Sequence, residues 1–254
     1  MNTFYENVRL VDTRDLDPAG YCRPSALLGI LQDTAAEAAG RIHLSREELM
    51  AQYGAFWMLA RSWYRLDRPL RWNEPVTVKT WHRGGSGASM YRDFDISVRG
   101  VPVGEAVTTW VLADWQSRKL LRMSKVLEFA DTTGGGLCKD RTLQKLHLPE
   151  ELVRAERRRM HYSDADMNGH VNNSRYADFV CDALRMEHLG GASFVAELQM
   201  GYLAECLPGE ELELLTGAAA GLQYVRGLGP EGRARFDAAV TLGEVPLDIA
   251  CRPS

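Results

Sequence analysis

Residues Asp164-Ala165-Asp166-Met167-Asn168-Gly169-His170-Val171-Asn172-Asn173 hold the chain's strongest candidates for chemistry: five of the ten are Asp or Asn, and one is His. The segment runs into an apolar, helix-patterned stretch, Tyr176 to Leu189. Polar side chains gathered where a helix begins can be aimed at a reacting carbonyl, with free backbone N–H groups behind them. The segment therefore points toward a class of reaction.

The elements that must position this segment occur twice. Arg14-Asp15-Leu16-Asp17-Pro18-Ala19-Gly20-Tyr21 lines up with Ser163-Asp164-Ala165-Asp166-Met167-Asn168-Gly169-His170 at an offset of 149 residues, so that Asp15, Asp17 and Gly20 meet Asp164, Asp166 and Gly169. Ser25 meets Ser174, and Asp33 meets Asp182. Each copy leads into a helix pattern. Ser25 to Ala39 sets Leu27, Leu28, Leu31, Ala35 and Ala38 on one face, and the second copy does the same with Tyr176, Phe179, Val180, Ala183 and Leu184.

Strand-like runs follow each helix: Phe56 to Leu66, Val76 to Trp81, Tyr91 to Val98 and Ala106 to Asp114 in the first half, then Phe194 to Tyr202, Glu211 to Ala219, Leu222 to Leu228 and Ala234 to Leu242. Arg83-Gly84-Gly85-Ser86-Gly87 reads as a loop, and Asp114 to Lys119, Pro208-Gly209 and Gly229-Pro230 read as turns. Asp131-Thr132-Thr133-Gly134-Gly135-Gly136 and the residues up to Glu150 read as a linker. The expectation is an α+β chain of two similar units, 1–130 and 151–254, joined by 131–150. Each is an antiparallel sheet wrapped around one long helix.

Composition narrows the class. The 254 residues are 45% hydrophobic and 25% charged, as in soluble globular proteins. A net charge of −4 argues against a general nucleic-acid binder. The five cysteines, Cys22, Cys138, Cys181, Cys206 and Cys251, include no C-x-x-C pair, so a reducing compartment without structural metal is expected. Met1 to Leu10 has no signal-peptide apolar core, and no run of 18 apolar residues could span a membrane, which makes the cytoplasm the expected location.

Asp166-Met167-Asn168-Gly169-His170-Val171-Asn172-Asn173, followed by Tyr176, resembles the active-site segment of the acyl-acyl-carrier-protein (acyl-ACP) thioesterases, which are tandem hot-dog proteins. Gly201-Tyr202-Leu203-Ala204-Glu205-Cys206 resembles the same family's Tyr-x-x-Glu-Cys segment. Trp57 to Arg65, Trp72-Asn73-Glu74-Pro75-Val76 and Trp110-Val111-Leu112-Ala113-Asp114 extend the likeness over nearly the whole chain. The resemblance implies two fused hot-dog units forming an internal pseudo-dimer, a homodimer being the candidate higher assembly. It implies release of free fatty acid from acyl-ACP, with no metal and no bound cofactor. The partner is acyl carrier protein bearing its acyl chain on phosphopantetheine.

Carried over residue by residue, the resemblance makes Asp166, Asn168, His170 and Glu205 the catalytic set. In the first copy Ala19 replaces Asn168 and Tyr21 replaces His170. Matching the turn Pro208-Gly209-Glu210 to Trp72-Asn73-Glu74 puts Pro69 near the position of Glu205, so one active site is expected, in the second unit, with the first shaping the acyl-chain pocket. Glu205 is the candidate general base for water, and Phe194, Val195 and Leu198 suggest partly apolar surroundings for it. His170 can position the water or protonate the leaving thiolate. Asn168 can hold the water or the thioester oxygen. Asp166 can orient its neighbours or attack the carbonyl to give an anhydride. Backbone N–H groups from Val171 to Ser174 are the candidate oxyanion donors, and Asn172 and Asn173 are loop and cap residues. Cys206 matches a cysteine once considered a nucleophile. The carboxylate beside it disfavours a thiolate and suits a small buried thiol.

Two clusters, Arg154/Arg157/Arg158/Arg159 and Arg118/Lys119/Arg122/Lys125, offer docking for an acidic carrier or a charged strand edge. The tryptophans Trp57, Trp63, Trp72, Trp81, Trp110 and Trp115 are candidates for an acyl tunnel or ordinary core and rim. An acyl-CoA thioesterase on the same fold, or a non-catalytic acyl-binding protein, are the alternatives. A hot-dog dehydratase or hydratase also pairs His with a carboxylate, but the Glu-Cys segment and the Asn-bearing loop weigh against it.

Overall fold

The computed structural model describes residues 4–126 and 140–245. Cys138, Cys251 and Asp131 to Gly136 lie outside the described residues. The chain divides into two compact units: the described parts of Met1–Leu10, Gly29–Tyr64 and Pro75–Leu143 form one, and those of Val11–Leu28, Arg65–Glu74 and Gln144–Ser254 the other. Both copies of the polar loop therefore belong to the second unit. Among the described residues, no helix is long and apolar enough to cross a membrane.

The first unit contains β1 (Tyr5–Leu10), most of α1 (Pro24–Gly40), α2 (Arg46–Tyr53), β2 (Ala55–Leu66), β3 (Pro75–Ser86), β4 (Ser89–Val98) and β5 (Val101–Asp114). Its strands run in the order β1-β3-β4-β5-β2. The period-two alternation expected of a half-buried strand is plain in the register. Val76, Val78 and Thr80 face Val98, Ile96 and Phe94, and all six are buried. The apolar face read for α1 is buried from Leu27 to Ala38. A core of Leu44, Leu49, Ala55, Met90, Leu112, Met123 and Val126 lies beneath α2. Arg83-Gly84-Gly85-Ser86 continues β3 rather than forming a loop. A bulge follows His82, and Gly85 has no room for a Cβ against the Ser89 carbonyl, so the two strands close tightly there. Trp63 and Trp81 are buried while Trp72 and Trp115 are exposed, so the tryptophans do not act as one set. Past the linker's undescribed part, Leu143 packs with Trp63 and Val107, and the Arg141 guanidinium lies 3.7 Å over the Trp63 ring.

In the second unit β6 (Val153–Arg159), α3 (Arg175–Ala183), β7 (Ser193–Tyr202), β8 (Glu211–Ala219), β9 (Leu222–Leu228) and β10 (Ala234–Glu244) follow in chain order, and the strands run β7-β10-β9-β8-β6 with every neighbour antiparallel. The buried face of α3, Tyr176, Ala177, Phe179, Val180 and Ala183, lies on this sheet. The Tyr176 ring sits 5.1 Å from Phe236 of β10 and 6.0 Å from Tyr202 of β7. The long second helix expected from Tyr176 to Leu189 is shorter: α3 ends at Ala183, because Arg185 adopts a left-handed φ of 55° before a 3-10 turn, Met186–His188.

Gly227 of β9 faces Phe236, whose ring occupies the space a side chain would take, with Cδ1 2.6 Å from an added Cβ. Phe236 is fully buried, so Gly227→Ala is expected to destabilise the protein by about 1–3 kcal/mol through overpacking. Urea unfolding checks this; an unchanged midpoint would mean the ring moves aside freely.

Candidate active site

The two polar loops have the same backbone. Each starts with a single 3-10 turn, Thr13–Asp15 or Tyr162–Asp164, in which the closing aspartate accepts an N–H from three residues back: Asp12 to Asp15 at 2.9 Å and His161 to Asp164 at 2.8 Å. Leu16 bridges Cys22 and Ala165 bridges Val171. The Asp17 N–H donates to the Tyr21 carbonyl at 2.8 Å, and the Asp166 N–H to the His170 carbonyl at 3.0 Å. Asp17 Oδ1 accepts the Ala19 N–H at 2.9 Å, and Asp166 Oδ1 accepts the Asn168 N–H at 2.8 Å. The glycine closing each loop has a φ of 81° at Gly20 and 80° at Gly169, a conformation that favours glycine. The paired aspartates and glycines of the repeat thus build the loop itself. Asn168 and His170 are additions to it.

The connection that carries Glu205 also has a counterpart in the first copy. Val171 donates its N–H to the Cys206 carbonyl at 2.8 Å, and Cys22 donates to Leu70 at 2.8 Å. Met160 exchanges hydrogen bonds with Gly209 and Glu210, as Val11 does with Asn73 and Glu74. These partners share one offset, under which Pro69 occupies the place of Glu205. The first copy therefore carries Asp17 with Ala19, Tyr21 and Pro69, where the second has Asp166 with Asn168, His170 and Glu205. Tyr21 is buried and donates its hydroxyl to the Gly191 carbonyl at 2.8 Å.

His170 lies between two carboxylates. Its Nδ1 is 3.9 Å from Asp166 Oδ1 and its Nε2 is 4.0 Å from Glu205 Oε1. Both gaps exceed a direct hydrogen bond and suit a bridging water or a small side-chain rotation, as is common before substrate binds. Asp166 and His170 are largely enclosed, whereas the Glu205 side chain is 49% exposed. Glu205 is therefore open to solvent over about half its side chain, because its segment is a surface connection beyond β7. Asn168 is exposed, and its side-chain amide has no hydrogen bond among the described residues.

The N–H groups expected to form an oxyanion hole are largely used by the loop. Val171 donates to Cys206, Asn172 to Asp164, and Ser174 to the Asn172 side chain at 2.9 Å. Asn172 is thus a turn-forming residue; the residue before α3 is Ser174 and not Asn173, and its hydroxyl donates to the Asn172 side chain at 2.9 Å instead of capping the helix.

Cys206 is fully buried. Burial, reinforced by a hydrogen bond to Glu210, pushes its thiol up to about 12. At neutral pH it is a protonated donor, with Sγ 3.2 Å from Glu210 Oε2, and not a nucleophile. Iodoacetamide at pH 8 is expected to leave Cys206 unlabelled in folded protein and to label it after denaturation, as read by peptide mass spectrometry. Prompt labelling of folded protein would contradict this geometry.

The β6 arginines divide: Arg158 pairs with Asp164 and Asp182, Arg154 pairs with Glu213, and Arg157 and Arg159 are exposed. Arg118 stacks over Phe56 and Trp115.

Comparison with solved structures defines the fold as two hot-dog units in tandem. The chain superposes on an acyl-ACP thioesterase from Bacteroides thetaiotaomicron with a TM-score of 0.86 at 20% identity, over 95% of this chain and 98% of that one. It superposes on the 12:0-ACP thioesterase from Umbellularia californica with a TM-score of 0.80 at 18% identity, over 96% and 98%. Residues 2–129 match the acyl-ACP thioesterase N-terminal domain and residues 150–230 the C-terminal domain. The chain belongs to the acyl-ACP thioesterase family. It is 27% identical over 201 residues to a chloroplastic acyl-ACP hydrolase of Cuphea viscosissima and 22% identical over 229 residues to the chloroplastic oleoyl-ACP thioesterase 1 of Arabidopsis thaliana. The matches cover 73% and 81% of this chain but only 48% and 61% of those proteins.

Proposed function

We propose that this chain hydrolyses fatty acyl-ACP to free fatty acid and holo-ACP, ending chain growth in fatty acid synthesis. One observation carries the reading: His170 stands between the carboxylates of Asp166 and Glu205, where the first copy has Tyr21 on its loop and Pro69 on its connection. Glu205 takes a proton from water as the water oxygen bonds to the thioester carbonyl carbon. The tetrahedral intermediate then collapses, the C–S bond breaks, and the proton that Glu205 took from water passes through His170 to the leaving thiolate. Asp166 orients the imidazole from the opposite side, and Asn168, exposed at the loop tip, binds the water or the carbonyl oxygen. Residues 151–254 carry the chemistry, and residues 1–130 shape the acyl-chain pocket. The free thiols Cys22, Cys181 and Cys206 suit a reducing compartment, and we place the reaction in the cytoplasm. Exposed Arg157 and Arg159 suit docking of the acidic carrier.

The test is fatty acid release from a panel of acyl-ACPs, with the same chains on CoA alongside. Faster release from ACP supports the reading and gives the chain length. Faster release from CoA makes the chain an acyl-CoA thioesterase, and binding without release from either makes it an acyl-binding protein.

A further inference from the structure

Glu205 sits on an exposed connection, yet a general base must be held to within a fraction of an ångström. The residues around it show how that is done. The Arg235 carbonyl accepts the N–H groups of Leu203 at 2.8 Å and Ala204 at 3.2 Å, fixing the backbone just before Glu205. Its guanidinium, largely buried, donates from Nη2 to Glu210 Oε2 at 2.9 Å. The same oxygen accepts the Cys206 thiol, and the Cys206 carbonyl accepts the N–H of Val171, the residue after His170. One arginine on β10 therefore grips the Glu205 connection on both sides. The thiol it reaches belongs to the residue whose main chain joins that connection to the His170 loop.

The first copy shows that the fold does not require this link. There Leu70 keeps the main-chain bond of Cys206 without a thiol. Glu74, at the place of Glu210, turns inward on its own connection: Oε2 accepts the Arg71 N–H at 3.0 Å and Arg68 Nη1 at 2.9 Å. The thiol–carboxylate–guanidinium chain is thus present in the copy that carries Glu205 and His170 and replaced in the copy that carries Pro69 and Tyr21. The Arg235 guanidinium lies close against Gly229.

We propose that Arg235, acting through Glu210 and Cys206, is a positioning residue that holds Glu205 against His170. The inference rests on the assignment of Glu205 as the base. Arg235→Met is expected to lower kcat on acyl-ACP by about ten- to a hundredfold with KM within about twofold, the signature of a displaced base and not of lost binding. Arg235→Lys, which keeps a cation for Glu210, is expected to recover part of the loss. In a Glu205→Gln background the further effect of Arg235→Met should shrink to about twofold or less, because the two residues act as a unit. Should Arg235→Met not fold, Glu210→Met removes the shared acceptor with little change of side-chain length and carries the same expectation. The inference is overturned if the loss on replacing Arg235 or Glu210 is as large in the Glu205→Gln background as in the wild type. It is also overturned if only the melting temperature falls while kcat is kept. Full turnover by Glu205→Gln alone is a different result: it removes Glu205 as the base, and the positioning role falls with it.

Discussion

Glu205→Gln is expected to reduce kcat on acyl-ACP by about 10²–10⁴-fold, the usual contribution of a positioned general base, with KM little changed. The amide keeps the shape and polarity of the carboxylate but cannot accept the water's proton. Glu205 is half exposed and glutamine keeps its shape, so the melting temperature should hold. A parallel loss in His170→Ala follows from its place between the two carboxylates. A loss below about tenfold for Glu205→Gln would shift the base role to Asp166 or His170, since a true base contributes more than that. Steady-state kinetics on one good acyl-ACP, with thermal melts of the same preparations, decides between these.

Much of this site was legible because the chain carries its own control. Asp17 and Asp166, with Gly20 and Gly169, recur because each loop needs an acceptor for the N–H two residues on and a glycine at positive φ. Subtracting them left Asn168 and His170 as residues the loop does not require. The match of Pro69 to Glu205 came from turn chemistry alone, and the paired main-chain bonds at Cys22 and Val171 bear it out. Strand placement was legible for the same reason: a period of two is written in single side chains. Helix α2 was missed although Ser45 and Glu48 form a capping box and Gly54 closes it at a φ of 58°. The Ser174 N–H is taken by Asn172 in a local turn, but other failures came from distance along the chain. Exposure of Glu205, consumption of the Val171 N–H by Cys206, and the grip of Arg235 depend on partners dozens of residues away. No local pattern encodes those. Glu210 lay in between: its match to Glu74 was visible, but its changed partners were not.

Asp164→Ala is expected to cost about 2–4 kcal/mol of stability, from a lost cap together with lost hydrogen bonding to charged groups. Its carboxylate is 1% exposed and lies 3.4 Å from Arg158 of β6 and 3.6 Å from Arg175 at the start of α3, besides accepting the His161 N–H. Arg158 also pairs with Asp182 and Arg175 with Asp178, but the Nε atoms of both are buried without a hydrogen-bond partner, so alanine would remove the one carboxylate the two guanidiniums share beside the loop that carries His170. The first copy separates this from loss of a cap. Asp15 makes the same bond to its 3-10 turn, from the Asp12 N–H at 2.9 Å, without the arginines, so Asp15→Ala should cost only about 0.5–2 kcal/mol. Urea unfolding of the two variants measures the difference, which is the worth of tying β6 and α3 to the loop. Equal losses would show that the arginines contribute nothing and that the loop stands on its turns alone. A larger loss at Asp164, with turnover falling alongside, would mean that the frame holding His170 is stabilised from beneath by charge as well as by its own backbone.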